Sequence, residues 1–183
     1  MWQSKSAPDS AYGMYLTQST DDDFAGYQAP DIDLENLNFD IPVNFVRLTP
    51  TATCPRYTNS DAAGLDLYAD EAAEILGGER KLISLGFSMA LPACFEAQIR
   101  PRSGLALMHG ITVLNSPGTI DPDYRGPMCV LLYNSSLYPF EVRIGDRIAQ
   151  MVINRFERIT MREVRTLEAT ARGAGGFGSS GTR

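Results

Sequence analysis

The feature that most limits the possible folds is a series of short apolar runs, broken by Gly, Pro, Asn or Asp about every 8 to 15 residues from Val43 onward. The runs read VNFVRLT, AGLDLYA, KLISLGFSMAL, FEAQIRP, GITVL, MCVLLYN, FEVRI, RIAQMVINRF and MREVRTL. Runs of this length are typical of strands. The pattern therefore predicts an all-β sandwich or jelly roll and argues against a parallel sheet with helical crossovers.

One short helix is predicted, in the segment SGLALMHG, where Ser103 can cap the first turn and Gly110 can end the last. The only histidine of the chain, His109, lies at the end of this segment. A metal site built from several histidines is therefore excluded, and a Ser-His-Asp triad would have to use this residue. We interpret His109 as structural.

The three cysteines Cys54, Cys94 and Cys129 lie far apart, so neither a disulfide framework nor a zinc site is indicated. Their apolar, strand-like surroundings predict buried core residues and not nucleophiles. No apolar run approaches the length of a membrane span, and the N-terminus lacks a secretion signal. We expect a soluble intracellular protein with no membrane partner, in the cytoplasm, or in the nucleus of the host cell if the gene is viral.

The negative charge of the chain is concentrated in residues 1–42, where eight acidic residues face a single lysine, a net charge of −7. This segment lacks a sustained periodic pattern, so we predict a disordered acidic arm. A short apolar stretch at residues 34–41 could dock on the body of the protein or on an unidentified partner. The net negative charge of the chain argues against a nucleic-acid partner.

The C-terminal stretch RGAGGFGSSGTR has the composition of a flexible tail. The lone aromatic Phe177, preceded by Arg172, favours a different interpretation. A loop that approaches phosphates with bare backbone amides, while one ring stacks on a base, needs these residue types. Composition alone leaves both interpretations open.

Three other motifs carry polar groups on turns, and each is weak when taken alone. PRSG, residues 101–104, suits either a phosphate oxygen or an ordinary helix start. NSPGTIDPDYRG, residues 115–126, is a hairpin rich in turn residues. GDRIAQ, residues 145–150, sets Gln150 among apolar residues, either as a hydrogen-bonded core amide or as a site group.

Taken in chain order, AGLDLYA, PRSGLA, GTIDPDYRG, GDRIAQ and RGAGGFGSSG resemble very closely the five motifs of the trimeric dUTP pyrophosphatases (dUTPases). The resemblance covers residues 43–183 and leaves out the acidic arm. It implies a jelly-roll-like β-barrel of the dUTPase type with one short helix over residues 43–167. A flexible C-terminal arm, residues 168–183, would close over the site of a neighbouring subunit.

The resemblance also implies a homotrimer that splits dUTP, carried with Mg²⁺, into dUMP and pyrophosphate. Such an activity limits uracil in DNA and supplies the precursor of dTTP. Each site would take the first, second and fourth motifs from one subunit, the third from a neighbour and the fifth from the remaining one.

Roles follow from the resemblance position by position. Asp121 would deprotonate the water that attacks the α-phosphorus, and Gln150 would hold that water or an α-phosphate oxygen. Asp66 would act near the metal through water, or it would brace the strand turn; both roles stay open. The residues assigned to the substrate are Arg102, Ser103, Gly104, Asn115, Gly118, Thr119, Ile120, Asp121, Tyr124, Cys129, Gln150, Arg172, Phe177, Gly178, Ser179 and Ser180.

Among these, residues 102–104 would bind the phosphate chain. Asn115 and the backbone of residues 119–121 would line a uracil slot, with Cys129 opposite them or simply buried in its strand. Tyr124 would lie on the deoxyribose and leave no room for a ribose 2′-hydroxyl. In the arm, Phe177 would stack on uracil, while Arg172 and the two serines reach the outer phosphates.

Two alternatives remain. The dCTP deaminases share the fold and ancestry, but they typically carry a serine where this chain has Gly104, use a glutamate as base and lack the C-terminal arm. A binding or regulatory protein built on the same scaffold, with the acidic arm recruiting its partner, is compatible with catalysis.

Overall fold

Twelve short strands and one helix form within residues 41–176, which are the residues that the computed structural model describes. The predictions for residues 1–40 and for Phe177, Gly178, Ser179 and Ser180 lie outside this range. The elements are β1 (Asn44–Arg47), β2 (Arg56–Tyr57), β3 (Leu65–Tyr68), β4 (Ala73–Ile75), β5 (Arg80–Ser84), β6 (Phe87–Ala90), β7 (Phe95–Arg100), α1 (Ser103–His109), β8 (Ile111–Val113), β9 (Gly118–Ile120), β10 (Cys129–Asn134), β11 (Phe140–Val142) and β12 (Arg147–Arg155).

The strands pair in four sheets, and every pairing is antiparallel. The largest sheet has the order β2-β3-β12-β7-β9. A second sheet has the order β5-β10-β8, and two further pairs join β1 to β6 and β11 to β4. The predicted all-β architecture with one short helix is thus confirmed.

Alternation along the strands builds the core. In β10, for example, every second side chain is buried, and Val130, Leu132 and Asn134 face inward. Inward residues of the other strands and of the connections between them complete one cluster, which includes Leu67, Ile75, Ile83, Leu85, Phe87, Ile99, Ile111, Met128, Val142 and Ile148. Because side chains alternate with a period of two, the opposite faces of the same strands remain available for polar groups.

The helix begins one residue earlier than the predicted cap implies. Arg102, with extended backbone, takes the N-cap position without a side-chain cap, and its carbonyl accepts the Ala106 N–H at 3.0 Å. The prediction that Ser103 caps the first turn was therefore wrong, because Ser103 already lies inside the helix. Gly110 ends the helix in a left-handed conformation, as predicted. No helix within residues 41–176 is long and apolar enough to span a membrane.

Two predicted strands differ in the structure. The run KLISLGFSMAL forms β5 and β6, because a turn at Gly86 interrupts it with a left-handed backbone conformation. The run MREVRTL forms no strand. Within residues 41–176 it has no pairing partner, and its segment exposes Ile159, Met161, Val164 and Leu167. Local strand propensity without a partner strand does not make a strand.

The prediction that all three cysteines are core residues was wrong for two of them. Cys54 and Cys94 are exposed, and Cys129 is partly buried. Cys94 lies between β6 and β7 with a backbone φ of 66°, in a turn. Apolar neighbours in the sequence did not reveal that Cys54 and Cys94 lie in connections between strands, where side chains face solvent.

The core also contains a fully buried amide side chain. The side chain of Asn134 is fully buried, and its Nδ2 donates to the Ile75 and Tyr138 carbonyls at 2.9 and 2.8 Å. Its Oδ1 accepts hydrogen bonds from the Ser136 backbone N–H and hydroxyl. Asn134 therefore joins the end of β4 to the loop after β10.

We expect Asn134→Ala to lower the free energy of unfolding by about 3 kcal/mol, because it leaves buried carbonyls without donors and opens a small cavity. Urea unfolding at fixed protein concentration measures the change. Asn44→Ala is the matched control, since Asn44 is exposed in β1. Equal stability of the two variants would contradict the structural role of Asn134.

Candidate active site

The position of β12 brings three of the sequence motifs together. Gln150 in β12 lies opposite Asp66 in β3 and opposite Arg100 in β7. Because β7 runs directly into PRSG, the second motif meets the first and fourth at the same place. The result is an open cleft of about 420 Å³. Its lining residues are Thr58, Ala62, Ala63, Gly64, Asp66, Arg100, Arg102, Ser103, Gly104, Gln150 and Val152.

Asp66 anchors the charged side of the cleft. It is 8% exposed, and its carboxylate pairs with Arg102 Nε and with Arg147 Nη1, each at 3.2 Å. The Thr58 hydroxyl donates to the same carboxylate at 2.8 Å. A carboxylate this buried needs such partners to offset the cost of desolvation. Both oxygens of Asp66 are thus engaged by protein groups.

Arg102 is held at two points. Besides its ion pair with Asp66, its Nη1 donates to the backbone carbonyl of Arg147 at 3.0 Å. A guanidinium carries five N–H groups in a planar fork, so donors remain for a ligand in the cleft. The contacts of Thr58 and Arg147 were not predicted. Arg147 belongs to the GDRIAQ motif and could have been singled out there, whereas no signal in the sequence marks Thr58.

Gln150 is both hydrogen-bonded and accessible from the cleft, so the two interpretations of this residue are not exclusive. Its Nε2 donates to the Pro101 carbonyl at 2.9 Å. Its Oε1 lies against Gly64, where a Cβ would come within 2.7 Å of that oxygen. Gly64 therefore leaves the space that the amide occupies. Ser103 and Gly104, in the first turn of α1, are exposed beside it.

A second, smaller cavity lies where β9 pairs with β7 and β10 pairs with β5 and β8. This slot measures about 90 Å³ and has space for about three water molecules. Its lining residues are Leu82, Ile99, Val113, Asn115, Gly118, Thr119, Ile120, Cys129, Val130 and Leu131. The structure therefore brings together four of the residues that the sequence assigned to the slot, Asn115, Thr119, Ile120 and Cys129, and adds Gly118, whereas Asp121 does not line this cavity.

The thiol in this slot is kept neutral. Burial raises the pKa of the Cys129 thiol, and the negative charge of Glu71 raises it further. A thiol with a raised pKa stays protonated near pH 7 and is a poor nucleophile. Cys129 therefore acts as an uncharged wall of the slot.

The hairpin after the slot carries Asp121 and Tyr124. Asp121 is exposed directly after β9, and its carbonyl accepts the Tyr124 N–H at 3.2 Å. Arg125 Nη1 donates to the Pro122 and Tyr124 carbonyls at 2.6 and 2.8 Å. The Tyr124 hydroxyl donates to the Pro127 carbonyl at 3.0 Å, while the residue is 42% exposed. These contacts brace the turn that presents the Asp121 carboxylate.

Within one chain, the cleft and the slot share no lining residue. Arg172 contributes to neither of these two cavities; it is exposed, and its Nε donates to the Gly175 carbonyl at 2.9 Å. In the described part of one chain, the predicted site residues therefore lie in three places besides the segment that carries Arg172: the cleft, the slot, and the hairpin with Asp121 and Tyr124 that follows the slot.

Comparison with known proteins gives the family. The dUTPase family model matches residues 51–181. The chain is 51% identical over 139 residues to the deoxyuridine 5′-triphosphate nucleotidohydrolase of Wolinella succinogenes, covering 76% of this chain and 93% of that protein. It is 56% identical over 129 residues to the enzyme of the same name from Rickettsia bellii, covering 69% of this chain and 86% of that protein.

Solved structures give the fold independently. The dUTPase of Staphylococcus bacteriophage 80alpha with dUpNHpp has a TM-score of 0.71 at 22% identity and covers 77% of this chain and 99% of that chain. The dUTPase from phage phi11 of S. aureus has a TM-score of 0.66 at 17% identity, with 70% and 99% coverage. Since the family model spans most of the chain and two relatives exceed half identity, the chain belongs to the dUTPase family.

Proposed function

We propose that this protein hydrolyses dUTP to dUMP and pyrophosphate, with the phosphate chain in the cleft around Arg102 and the uracil in the slot between Asn115 and Cys129. The observation that carries the proposal is the cleft, in which the first, second and fourth motifs meet around one arginine with unused donors. The relatives from Wolinella succinogenes and Rickettsia bellii are both named deoxyuridine 5′-triphosphate nucleotidohydrolase, which supports the same activity here.

At the phosphate end, Arg102 and the Ser103 hydroxyl donate to phosphate oxygens, and Gly104 lets the chain approach the backbone. Hydrolysis places additional negative charge on the leaving pyrophosphate. Fixed donors aimed at that charge stabilise the transition state more than flexible ones do, because they need no reorganisation. The contacts of Arg102 to Asp66 and to the Arg147 carbonyl support such a fixed position.

Magnesium enters as part of the substrate, bound to the triphosphate. Among residues 41–176, no group of three or more His, Cys, Asp or Glu side chains could hold a metal ion. Mg²⁺ commonly binds through substrate phosphates and its own waters, which needs few protein ligands. The contacts of Asp66 to two arginines and Thr58 favour its bracing role over a role at the metal.

At the base end, backbone amides and carbonyls of residues 119–121 and the Asn115 side chain recognise the edge of uracil. A site built for one hydrogen-bonding pattern rejects a base with the wrong pattern, since buried polar groups are then left unpaired. The neutral thiol of Cys129 and the narrow slot complete the fit. Tyr124 lies on the deoxyribose and excludes a 2′-hydroxyl.

The chemical step is an attack by water on the α-phosphorus. Asp121 takes a proton from the water while the water oxygen bonds to the α-phosphorus. Gln150 orients the same water or an α-phosphate oxygen. The bond from the α-phosphorus to the bridging oxygen breaks, and its electron pair leaves with pyrophosphate. Asp121 is exposed on a turn that Arg125 holds by a hydrogen bond to the Pro122 carbonyl. This exposure supports access of its carboxylate to a substrate at the surface of the subunit.

The complete site forms between subunits of a homotrimer. One subunit supplies the cleft, a neighbour supplies the slot and Asp121, and a third supplies the arm from Arg172 through Phe177, Gly178, Ser179 and Ser180. The separation of cleft and slot within one chain supports this arrangement. In the cell, such an enzyme limits uracil in DNA and supplies dUMP for dTTP, and residues 1–42 are accessory to catalysis.

We expect Asp121→Asn to lower kcat by roughly 10²- to 10⁴-fold with little change in KM, because an amide cannot accept the proton from water. Pyrophosphate release from dUTP gives both constants. Asp123→Asn, in the same turn, is the matched control and keeps near-normal activity. A normal kcat for Asp121→Asn would remove this residue as the base.

We expect Asp66→Asn to weaken binding of dUpNHpp roughly tenfold both with and without Mg²⁺, because Arg102 loses its charged partner. Calorimetric titration in the two conditions measures this, with Asp61→Asn as control. If only the binding in the presence of Mg²⁺ weakened, Asp66 would act at the metal instead.

We expect a mixture of Arg102→Met and Asp121→Asn subunits to regain activity that neither variant has alone, in up to about a quarter of the sites at random assembly. The two variants are co-expressed with different tags, and the mixed oligomers are assayed for dUTP hydrolysis. Mixing Arg102→Met with Gln150→Leu is the control, since both residues belong to one cleft and no site is restored. Equal recovery in the two mixtures, or none in the first, would contradict sharing between subunits.

A further inference from the structure

The ring of Tyr124 lies directly against the backbone of Gly126. A Cβ at position 126 would come within 2.6 Å of the ring carbon Cζ and 2.9 Å of Cε2, and closer still to the hydroxyl oxygen. Separations below 3.0 Å between such atoms require one of them to move. Any side chain at position 126 would therefore push the Tyr124 ring out of its present place.

The backbone of Gly126 does not itself require glycine. Gly126 is absent from the residues with positive φ among residues 41–176, so an L residue fits its conformation. Its carbonyl accepts the Ser88 hydroxyl at 2.9 Å, a contact that any residue could make. Of its three nearest contacts, all belong to Tyr124. The need for glycine thus comes from the tyrosine ring.

The remaining contacts hold the ring in this position. The Tyr124 hydroxyl donates to the Pro127 carbonyl, one residue beyond Gly126, at 3.0 Å. Arg125 Nη1 donates to the backbone carbonyl of Tyr124 at 2.8 Å. The ring is therefore folded back over its own turn, with 42% of the residue exposed for contact with a ligand.

We propose that Gly126 is a specificity-determining residue that acts through Tyr124. By lacking a side chain, it sets the position at which the ring meets the sugar and rejects a 2′-hydroxyl. The inference rests on the proposed function, which assigns sugar discrimination to Tyr124. It adds that discrimination depends on a residue that does not itself touch the nucleotide.

The test compares kcat/KM for dUTP with kcat/KM for UTP in four variants: Gly126→Ala, Tyr124→Ala, the double variant Tyr124→Ala/Gly126→Ala, and Ser88→Ala. We expect Gly126→Ala to lower the dUTP/UTP ratio by about tenfold or more, because a misplacement of about 1 Å in a site can change rates by roughly a hundredfold. In the double variant, the ratio equals that of Tyr124→Ala, since the added methyl then has no ring to displace. Ser88→Ala removes an anchor of the hairpin and leaves the ratio unchanged.

Each contrary outcome has a separate meaning. If Tyr124→Ala kept the full ratio, the sugar role in the proposed function would fail, and the role of Gly126 with it. If Tyr124→Ala lost discrimination while Gly126→Ala kept it, only the present inference would be overturned. The inference would also be overturned if the double variant had a lower ratio than Tyr124→Ala, or if Ser88→Ala lowered the ratio as much as Gly126→Ala. In both cases the effect would come from a loosened hairpin and not from the position of the ring. Thermal unfolding of each variant identifies loss of folding.

Discussion

The antiparallel pairing of β12 with both β3 and β7 is the constraint on which the candidate site depends. It sets Gln150 opposite Asp66 on one side and opposite Arg100 on the other. A shift of one residue would turn the inward side chains of β12, such as Ala149 and Met151, away from the core. The same hydrophobic burial that fixes the register therefore also fixes the cleft.

Burial of the Asp66 carboxylate places a second, electrostatic constraint on the cleft. A carboxylate removed from water is costly unless it is paired, and Arg102, Arg147 and Thr58 supply the partners. Since Arg102 is one of those partners, the need to neutralise Asp66 holds in place the arginine to which we assign phosphate binding. The proposed phosphate site thus shares this contact with the fold.

The turn around Tyr124 holds the ring of this residue in one position. The Pro127 carbonyl accepts the Tyr124 hydroxyl, and Arg125 binds the backbone carbonyl of Tyr124. Gly126 leaves room for the ring, part of which stays exposed. An exposed aromatic ring would otherwise have several rotamers available, and ordering it costs conformational entropy. Fixing the ring before a ligand arrives removes that cost from binding.

The sequence by itself determined the all-β class, the one short helix with its Gly110 end, and the family, because strand periodicity, turn residues and ordered motifs are local patterns. It also grouped Asn115, Thr119, Ile120 and Cys129, which line one cavity in the structure. Only the tertiary structure decided three features. MREVRTL forms no strand, Cys54 and Cys94 are exposed, and Asp66 pairs with Arg102, Arg147 and Thr58. Strand formation, burial and ion pairing depend on which distant segments meet, as Asp66 and Arg147 do across 81 residues, and a local pattern does not contain that information.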